Sequence, residues 1–288
     1  YTGAELMLMA VQAGDENMID HCERANLPDT GFDLDGNPCR HGRGCKQCVY
    51  PHPNYYCIHA NVALEAFKPV DPETKSILRK GRLARFDLGR CKLKHLREAA
   101  KPVDFGYAYG MTGDAAYRKA KEGGANITRG DSDSLIAGLE TSYPKLPIYF
   151  NGAAARSEDP GYIVNCFGGI RRAYVTSDRK SQGDMERQFK NYCVQSGVAD
   201  AVSTAMANLY QYRDRHHMKF RLALQIHDDI VSVVPIDELE RYHDEAVPKC
   251  MTEMVDIWPC DFDGQIKEDP RAPYHLTPGR NVYLRWGV

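Results

Sequence analysis

No stretch of this chain approaches the ~18 consecutive apolar residues that a membrane-spanning helix needs, so a helical membrane protein is not expected. Its first residues lack the basic start and apolar run of a secretory signal. The ten cysteines are therefore expected as reduced thiols in a cytoplasmic setting, not as a disulfide framework. There is no internal repeat, no heptad, no Walker motif, no Rossmann glycine pattern and no Ser-His-Asp set. Those absences argue against coiled coils, P-loop or dinucleotide binding and triad hydrolysis. A net charge of −2 removes a globally basic nucleic-acid binder. At 288 residues the chain has the length for one large domain or two small ones.

Charge is nevertheless segregated. Between Lys75 and Lys101 there are ten Lys or Arg and only two acids, Asp87 and Glu98. A basic block on a near-neutral protein fits a phosphate-binding face, although a solvated helix surface would look the same.

Two stretches carry chemistry. In the first, Leu222, Leu224 and Ile226 alternate as in a strand with one buried face, and Ile230 to Val234 form a β-branched run that stops at Pro235. Between them His227, Asp228 and Asp229 read as the tip of a β-hairpin. Adjacent carboxylates repel and need a cation or salt partner, and oxygen-only ligands suit Mg²⁺. Asp is also an ordinary turn residue, which is the simpler account of that tip alone. In the second, the spacing Arg97-x3-Lys101-x3-Phe105-Gly106-x2-Tyr109-Gly110 returns to one helix face at each step of four. A guanidinium, an ammonium, an aromatic ring and a phenol in sequence suit a nucleoside triphosphate. An amphipathic helix with Phe and Tyr in the core explains the pattern equally.

Taken together these stretches resemble the A family of DNA polymerases, in particular the C-terminal palm and fingers portion of a phage-like member. Arg97 to Gly110 matches the family's motif B. Gln225-Ile226-His227-Asp228-Asp229 is similar to motif C (Gln-Val-His-Asp-Glu). Tyr1 to Leu6 resembles the tail of motif A (Asp-Tyr-Ser-x-x-Glu-Leu), and Arg187-x3-Asn191-x3-Gln195 resembles the segment that precedes motif C.

The resemblance implies an α+β right-hand polymerase fold, a palm with inserted, mainly helical fingers, with thumb and exonuclease domains absent from this chain. The implied division is palm in 1–25, a Cys/His-rich insertion in 26–58, fingers in 59–185 and palm again in 186–288. It implies DNA-templated nucleotidyl transfer from a dNTP to a primer 3′-OH, with two Mg²⁺ ions as cofactors. Asp228 is the implied metal ligand, with Asp229 beside it. Arg97, Lys101 and His59 are implied to meet the triphosphate, with Lys101 also a candidate proton donor to pyrophosphate. Glu5 would wall off the sugar 2′ position, supported by a phenol such as Tyr109. Phe105 would lie near the sugar 3′ position, and Tyr109 and Gly110 would shape the base-pair pocket. Arg187, Asn191, Gln195 and His227 are candidates for the primer-template, where Arg and Gln can donate to minor-groove acceptors shared by all base pairs.

The motif A Asp of the family would precede Tyr1. The chain is accordingly expected to be part of a larger or split polymerase, to need an upstream segment or second polypeptide carrying that Asp and the thumb, and to be inactive alone.

Residues 26–58 depart from compact family members. They contain Cys39, His41, Cys45, Cys48, His52 and Cys57. A Cys-x2-Cys pair with a nearby Cys and His suits tetrahedral Zn²⁺, which would order an otherwise unusually long loop. Cys39, Cys45 and Cys48 are the preferred ligands with Cys57 as the fourth, and His41 and His52 are rivals. Incidental thiols on a loop are the alternative.

Elsewhere, a helix is expected from Leu6 to Ala13 and another from Ala60 to Phe67. Pro102 should either begin the motif B helix or kink it. Residues 112–160 should be helical and then loop-like, broken at Gly123-Gly124, Pro144, Pro147 and Pro160. A hairpin with a Gly-Gly turn is expected in 161–172, then a helix from Arg187 through Leu209, an amphipathic helix over 239–256 and a strand at Val282 to Trp286. Two rival functions stand beside the polymerase: a zinc-stabilised nucleic-acid-binding remnant without catalysis, and a single-subunit RNA polymerase, which Glu5 disfavours.

Overall fold

The computed structural model describes residues 3–27, 31–33, 36–40, 52–67, 94–122, 127–174 and 176–279. Most of the basic block, Cys45, Cys48, His41 and the strand expected at Val282 to Trp286 lie outside the described residues. The chain divides into two compact units, one of Tyr1–Leu8, Arg156–Tyr174 and Tyr192–Val288, the other of Met9–Ala155 and Val175–Asn191. No helix among the described residues is long and apolar enough to cross a membrane.

The second unit is helical: α1 (Ala4–Ala13, whose first residues belong to the other unit), α2 (Glu16–Ala25), α3 (Ile58–Phe67), α4 (Lys94–Gly106), α5 (Gly113–Glu122), α6 (Arg129–Ser142) and α7 (Lys145–Ala155). Gly14 leaves α1 with φ +66°, a conformation that glycine adopts without strain. The next residue, Asp15, is buried and caps two helices. One oxygen accepts from Met18 N at 3.1 Å at the start of α2, and the other accepts from Lys145 N at 3.2 Å at the start of α7.

Residues 129–155 are more helical than the prolines suggest. Thr128 opens α6 with a capping box, its side chain accepting from Asp131 N while Asp131 accepts from Thr128 N at 2.7 Å. Pro144 separates α6 from α7, but Pro147 sits in the first turn of α7, where a missing amide costs no intrahelical bond.

Helices α3 and α6 meet at Gly138. A Cβ there would lie 2.8 Å from Ala66 N and 2.9 Å from Val62 O, which are backbone atoms that cannot swing aside. Gly138→Val is therefore expected to cost about 1–3 kcal/mol as overpacking. Denaturant unfolding measures it, and an unchanged midpoint would contradict this packing.

The first unit holds two hairpins and most of a long helix. Strand β1 (Tyr162–Val164) pairs antiparallel with β2 (Ile170–Arg172) around the expected Gly-Gly turn. Buried Asn165 fixes that turn: Oδ1 accepts from Phe167 N and Gly169 N, and Nδ2 donates to Ser196 Oγ and Asp200 Oδ2. Ser196 and Asp200 lie on α8 (Arg179–Arg215), 37 residues long and starting earlier than the Arg187 pattern implied.

Strand β3 (Arg221–Ile226) pairs with β4 (Asp229–Val233). The expected buried face is not closed among the described residues: Leu224 is 44% and Ile226 45% exposed, because the two strands form a two-stranded ribbon. The expected helix over 239–256 is present as a continuous helical run from Ile236 to Glu253, in which 3-10, α and π turns follow one another. Pro248 cannot continue a regular ladder of hydrogen bonds there.

Candidate active site

In the helical unit the motif B residues are carried by α4. The helix runs from Lys94 through Pro102 to Gly106, so Pro102 neither starts nor ends it. A proline here removes one amide donor, leaving the Glu98 carbonyl without its helical partner. The helix presents two contacts to the start of α3. Arg97 Nε donates to Cys57 Sγ at 3.2 Å, and its Nη1 lies 2.6 Å from Glu98 Oε1. Two turns on, Asp104 Oδ2 lies 2.5 Å from His59 Nδ1.

Arg97 and His59, both candidates for the triphosphate, are thus fixed by the same helix pair. Phe105 joins them, its ring centroid 5.7 Å from that of His59. Lys101, on the intervening turn, is exposed. Asp104 is completely buried, and burial pushes its carboxyl above the usual carboxylate range, opposed by His59 and by Arg97. Sequence reasoning missed Asp104. Its signal was an acid set between the apolar Val103 and Phe105 on a basic helix.

Beyond α4 the chain makes one turn, Tyr107–Tyr109, and closes at Gly110 with φ +68°. Tyr109 is 43% exposed. Tyr107 instead points inward, donating to Glu140 Oε1 at 2.8 Å, and burial together with Glu140 raises its phenol well above the usual range. A cavity of about 430 Å³ opens beside it, lined by Tyr107, Gly110, Asp133, Glu140, Phe150 and Lys190 among others. A Cβ at Gly110 would come 3.3 Å from Arg187 Cγ, so the structure brings Arg187 beside the end of motif B. Arg187 is paired with Asp184. Asn191 Oδ1 is buried with no hydrogen-bond partner among the described residues.

In the other unit, Gln195 Nε2 donates to Glu5 Oε1 at 2.5 Å. Two candidates that sequence reasoning had given separate tasks are therefore one pair. The β3–β4 hairpin turns on His227 and Asp228, with His227 at φ +55° and Asp229 already paired with Ile226. Positive φ is uncommon for a side-chain-bearing residue and suits the first position of a tight hairpin turn. Gln225 Nε2 donates to His227 O at 3.3 Å across it. Asp228 is half-buried and Asp229 exposed.

The cysteine loop is only partly described. Among the described residues no three His, Cys, Asp or Glu side chains gather as a metal site. Cys57 is buried in a small core with Tyr55 and Ala60, its sulfur turned to Arg97. His52 packs edge-on against Phe32 and accepts from Asn54 N.

Known proteins resemble part of this chain. DNA polymerase I of Lactococcus lactis subsp. cremoris is 30% identical over 163 residues, 56% of this chain and 18% of the relative. The thermostable DNA polymerase I of Thermus thermophilus is 32% identical over 168 residues, 57% of this chain and 19% of the relative. The chain thus spans less than a fifth of the length of these relatives. Among solved structures, the POL domain of Pol1 from M. smegmatis, in complex with DNA primer-template and dNTP, shares its fold with a TM-score of 0.59 at 20% identity. That match covers 89% of this chain and 36% of the other. The sequence profile of DNA polymerase family A matches residues 88–263, which include motif B, the β3–β4 hairpin and the long helix between them. More than half of the chain is covered by that profile, and the chain belongs to DNA polymerase family A.

Proposed function

We propose that this chain forms the fingers and much of the palm of a DNA-templated DNA polymerase, with the helical unit as fingers and the unit of the two hairpins as palm. The observation that carries this reading is the α3–α4 pair, where Arg97, Lys101, His59 and Phe105 occur together in a family A sequence. Three cationic or proton-bearing groups beside an aromatic ring match a triphosphate joined to a sugar and base. In the reaction a primer 3′-oxygen attacks the α-phosphorus of a dNTP and pyrophosphate leaves.

The residues take the following roles. Arg97, Lys101 and His59 neutralise the triphosphate. Phe105, Tyr109 and Gly110 bound the sugar and base, and Arg187, Asn191, Gln195 and His227 face the primer-template. Beside His227, the hairpin tip offers carboxylate oxygens from Asp228 and Asp229, donors of the kind that fit Mg²⁺. Bound Mg²⁺ would supply charge neutralisation at the attacking and leaving oxygens.

Glu5 is assigned to the sugar wall, and its hydrogen bond from Gln195 holds the carboxylate in one place. In the full-length protein, Glu5→Ala should raise ribonucleotide incorporation by about 10²-fold or more relative to dNTP, and Gln195→Ala by less, since it frees the wall without removing it. Single-nucleotide incorporation with matched dNTP and rNTP measures this. Extension that never requires a template-matched dNTP would end the polymerase reading. Normal extension with unchanged sugar selectivity in Glu5→Ala would withdraw only the role of Glu5.

A further inference from the structure

We propose that Asp104 is a positioning residue that locks the His59 imidazole by its Nδ1 and so presents Nε2–H to the nucleotide's phosphate oxygens. The proposal rests on the nucleotide-binding reading of His59 and goes beyond it by naming what holds that ring. The geometry is specific. Asp104 Oδ2 lies 2.5 Å from His59 Nδ1, and the carboxyl has no exposed surface while the His59 side chain keeps 13%. The ring is therefore held through Nδ1 while its side chain keeps a small exposed surface.

A contact this short has a proton between the two atoms. That proton can sit on either partner. As a carboxylic acid, Asp104 donates to Nδ1 of a neutral ring whose other proton is on Nε2. As a carboxylate, it accepts from an imidazolium, which again carries a proton on Nε2. The two descriptions contain the same number of protons and differ only in where one of them rests. In both, Nε2 is a donor, which is what a phosphate oxygen accepts; the form with one proton fewer, a ring protonated on Nδ1 alone against the carboxylate, offers Nε2 only as an acceptor and is the form that a bound phosphate disfavours.

The fold retains this carboxyl at a disadvantage. Among the described residues Asp104 Oδ1 is buried without a hydrogen-bond partner, and an unsatisfied buried oxygen is costly. An apolar side chain at this position of α4, between Val103 and Phe105, would pack without that cost. A second group also bears on the pair, because Arg97 lies near enough to stabilise the ionised carboxylate. Since Arg97 is held by Cys57, two residues before His59 in sequence, the start of α3 is pinned to α4 at two points. Orientation of His59 thus follows from α4, the helix that carries Lys101 and Phe105.

The test compares Asp104→Ala and Asp104→Asn in the full-length protein, each with and without His59→Ala, by single-nucleotide incorporation and thermal unfolding. Asparagine keeps the size and can donate from its amide to Nδ1, which again leaves the proton on Nε2. Asp104→Ala is expected to raise the dNTP KM about tenfold, the scale of one lost charge-assisted hydrogen bond, and Asp104→Asn by less than about threefold. Neither should raise KM further once His59 is alanine.

The positioning role is overturned if Asp104→Ala leaves KM unchanged, or if its effect persists in full in the His59→Ala background. It is also overturned if the alanine variant unfolds while its asparagine counterpart does not recover a low KM, since the carboxyl would then serve stability alone. If His59→Ala itself leaves KM unchanged, it is the nucleotide role of His59 that fails.

Discussion

Asp228→Ala in the full-length protein is expected to reduce primer extension by about a thousandfold or more while leaving primer-template affinity within about threefold. Asp228 occupies the second position of the β3–β4 turn, half-buried, where its carboxylate can serve a cation. On the proposed assignment, removing it takes away a hard oxygen ligand and no phosphate contact, so the loss should fall on the chemical step. Asp229 is a poor substitute. It is the first residue of β4, its backbone paired with Ile226, whereas Asp228 lies in the turn. Asp229→Ala is accordingly expected to have the smaller effect. Rapid-quench incorporation gives the rate and filter binding gives the affinity. A mutant that extends at the wild-type rate would remove the metal role from this hairpin. A wild-type protein that binds primer-template yet never extends it would favour the non-catalytic nucleic-acid binder instead.

Much of this site was legible because its signals are local. The step of four from Arg97 to Lys101 to Phe105 encodes a helix face, and α4 carries all three. The alternation at Leu222, Leu224 and Ile226 encodes a strand, and the two runs do pair across a two-residue turn. The Gly-Gly hairpin at 161–172 was readable for the same reason.

Long-range pairing was not legible. Asp104 and His59 are 45 residues apart, and Gln195 and Glu5 are 190 apart. No periodicity links such positions, so Gln195 was read only as a minor-groove donor and Asp104 was not read at all. The helix α7 was missed for a different reason. Pro144 and Pro147 were treated alike, although a proline in the first turn of a helix interrupts nothing. The contact of Cys57 with Arg97 was likewise not legible, and Cys45 and Cys48, the closely spaced pair of the expected zinc site, lie outside the described residues.

Lys101 is the second residue on which the largest loss is expected. It lies on α4 between the turn that carries Arg97 and the turn that carries Asp104 and Phe105, and it is exposed where Arg97 is engaged by Cys57 and Glu98. An exposed ammonium on this face can meet the β- and γ-phosphates and can also give up a proton as pyrophosphate leaves. Lys101→Ala removes both actions and should lower kcat by about 10²–10⁴-fold, the range for loss of a general acid. Lys101→Arg separates them. Arginine keeps the charge and the donors but does not release a proton near neutral pH. The arginine variant is therefore expected to restore the dNTP KM to within about threefold while recovering little of kcat. Steady-state and single-turnover incorporation across pH give both parameters. If arginine restores kcat as fully as KM, Lys101 acts by charge alone and the proton donor lies elsewhere. If alanine leaves both parameters unchanged, α4 is not the triphosphate-binding helix.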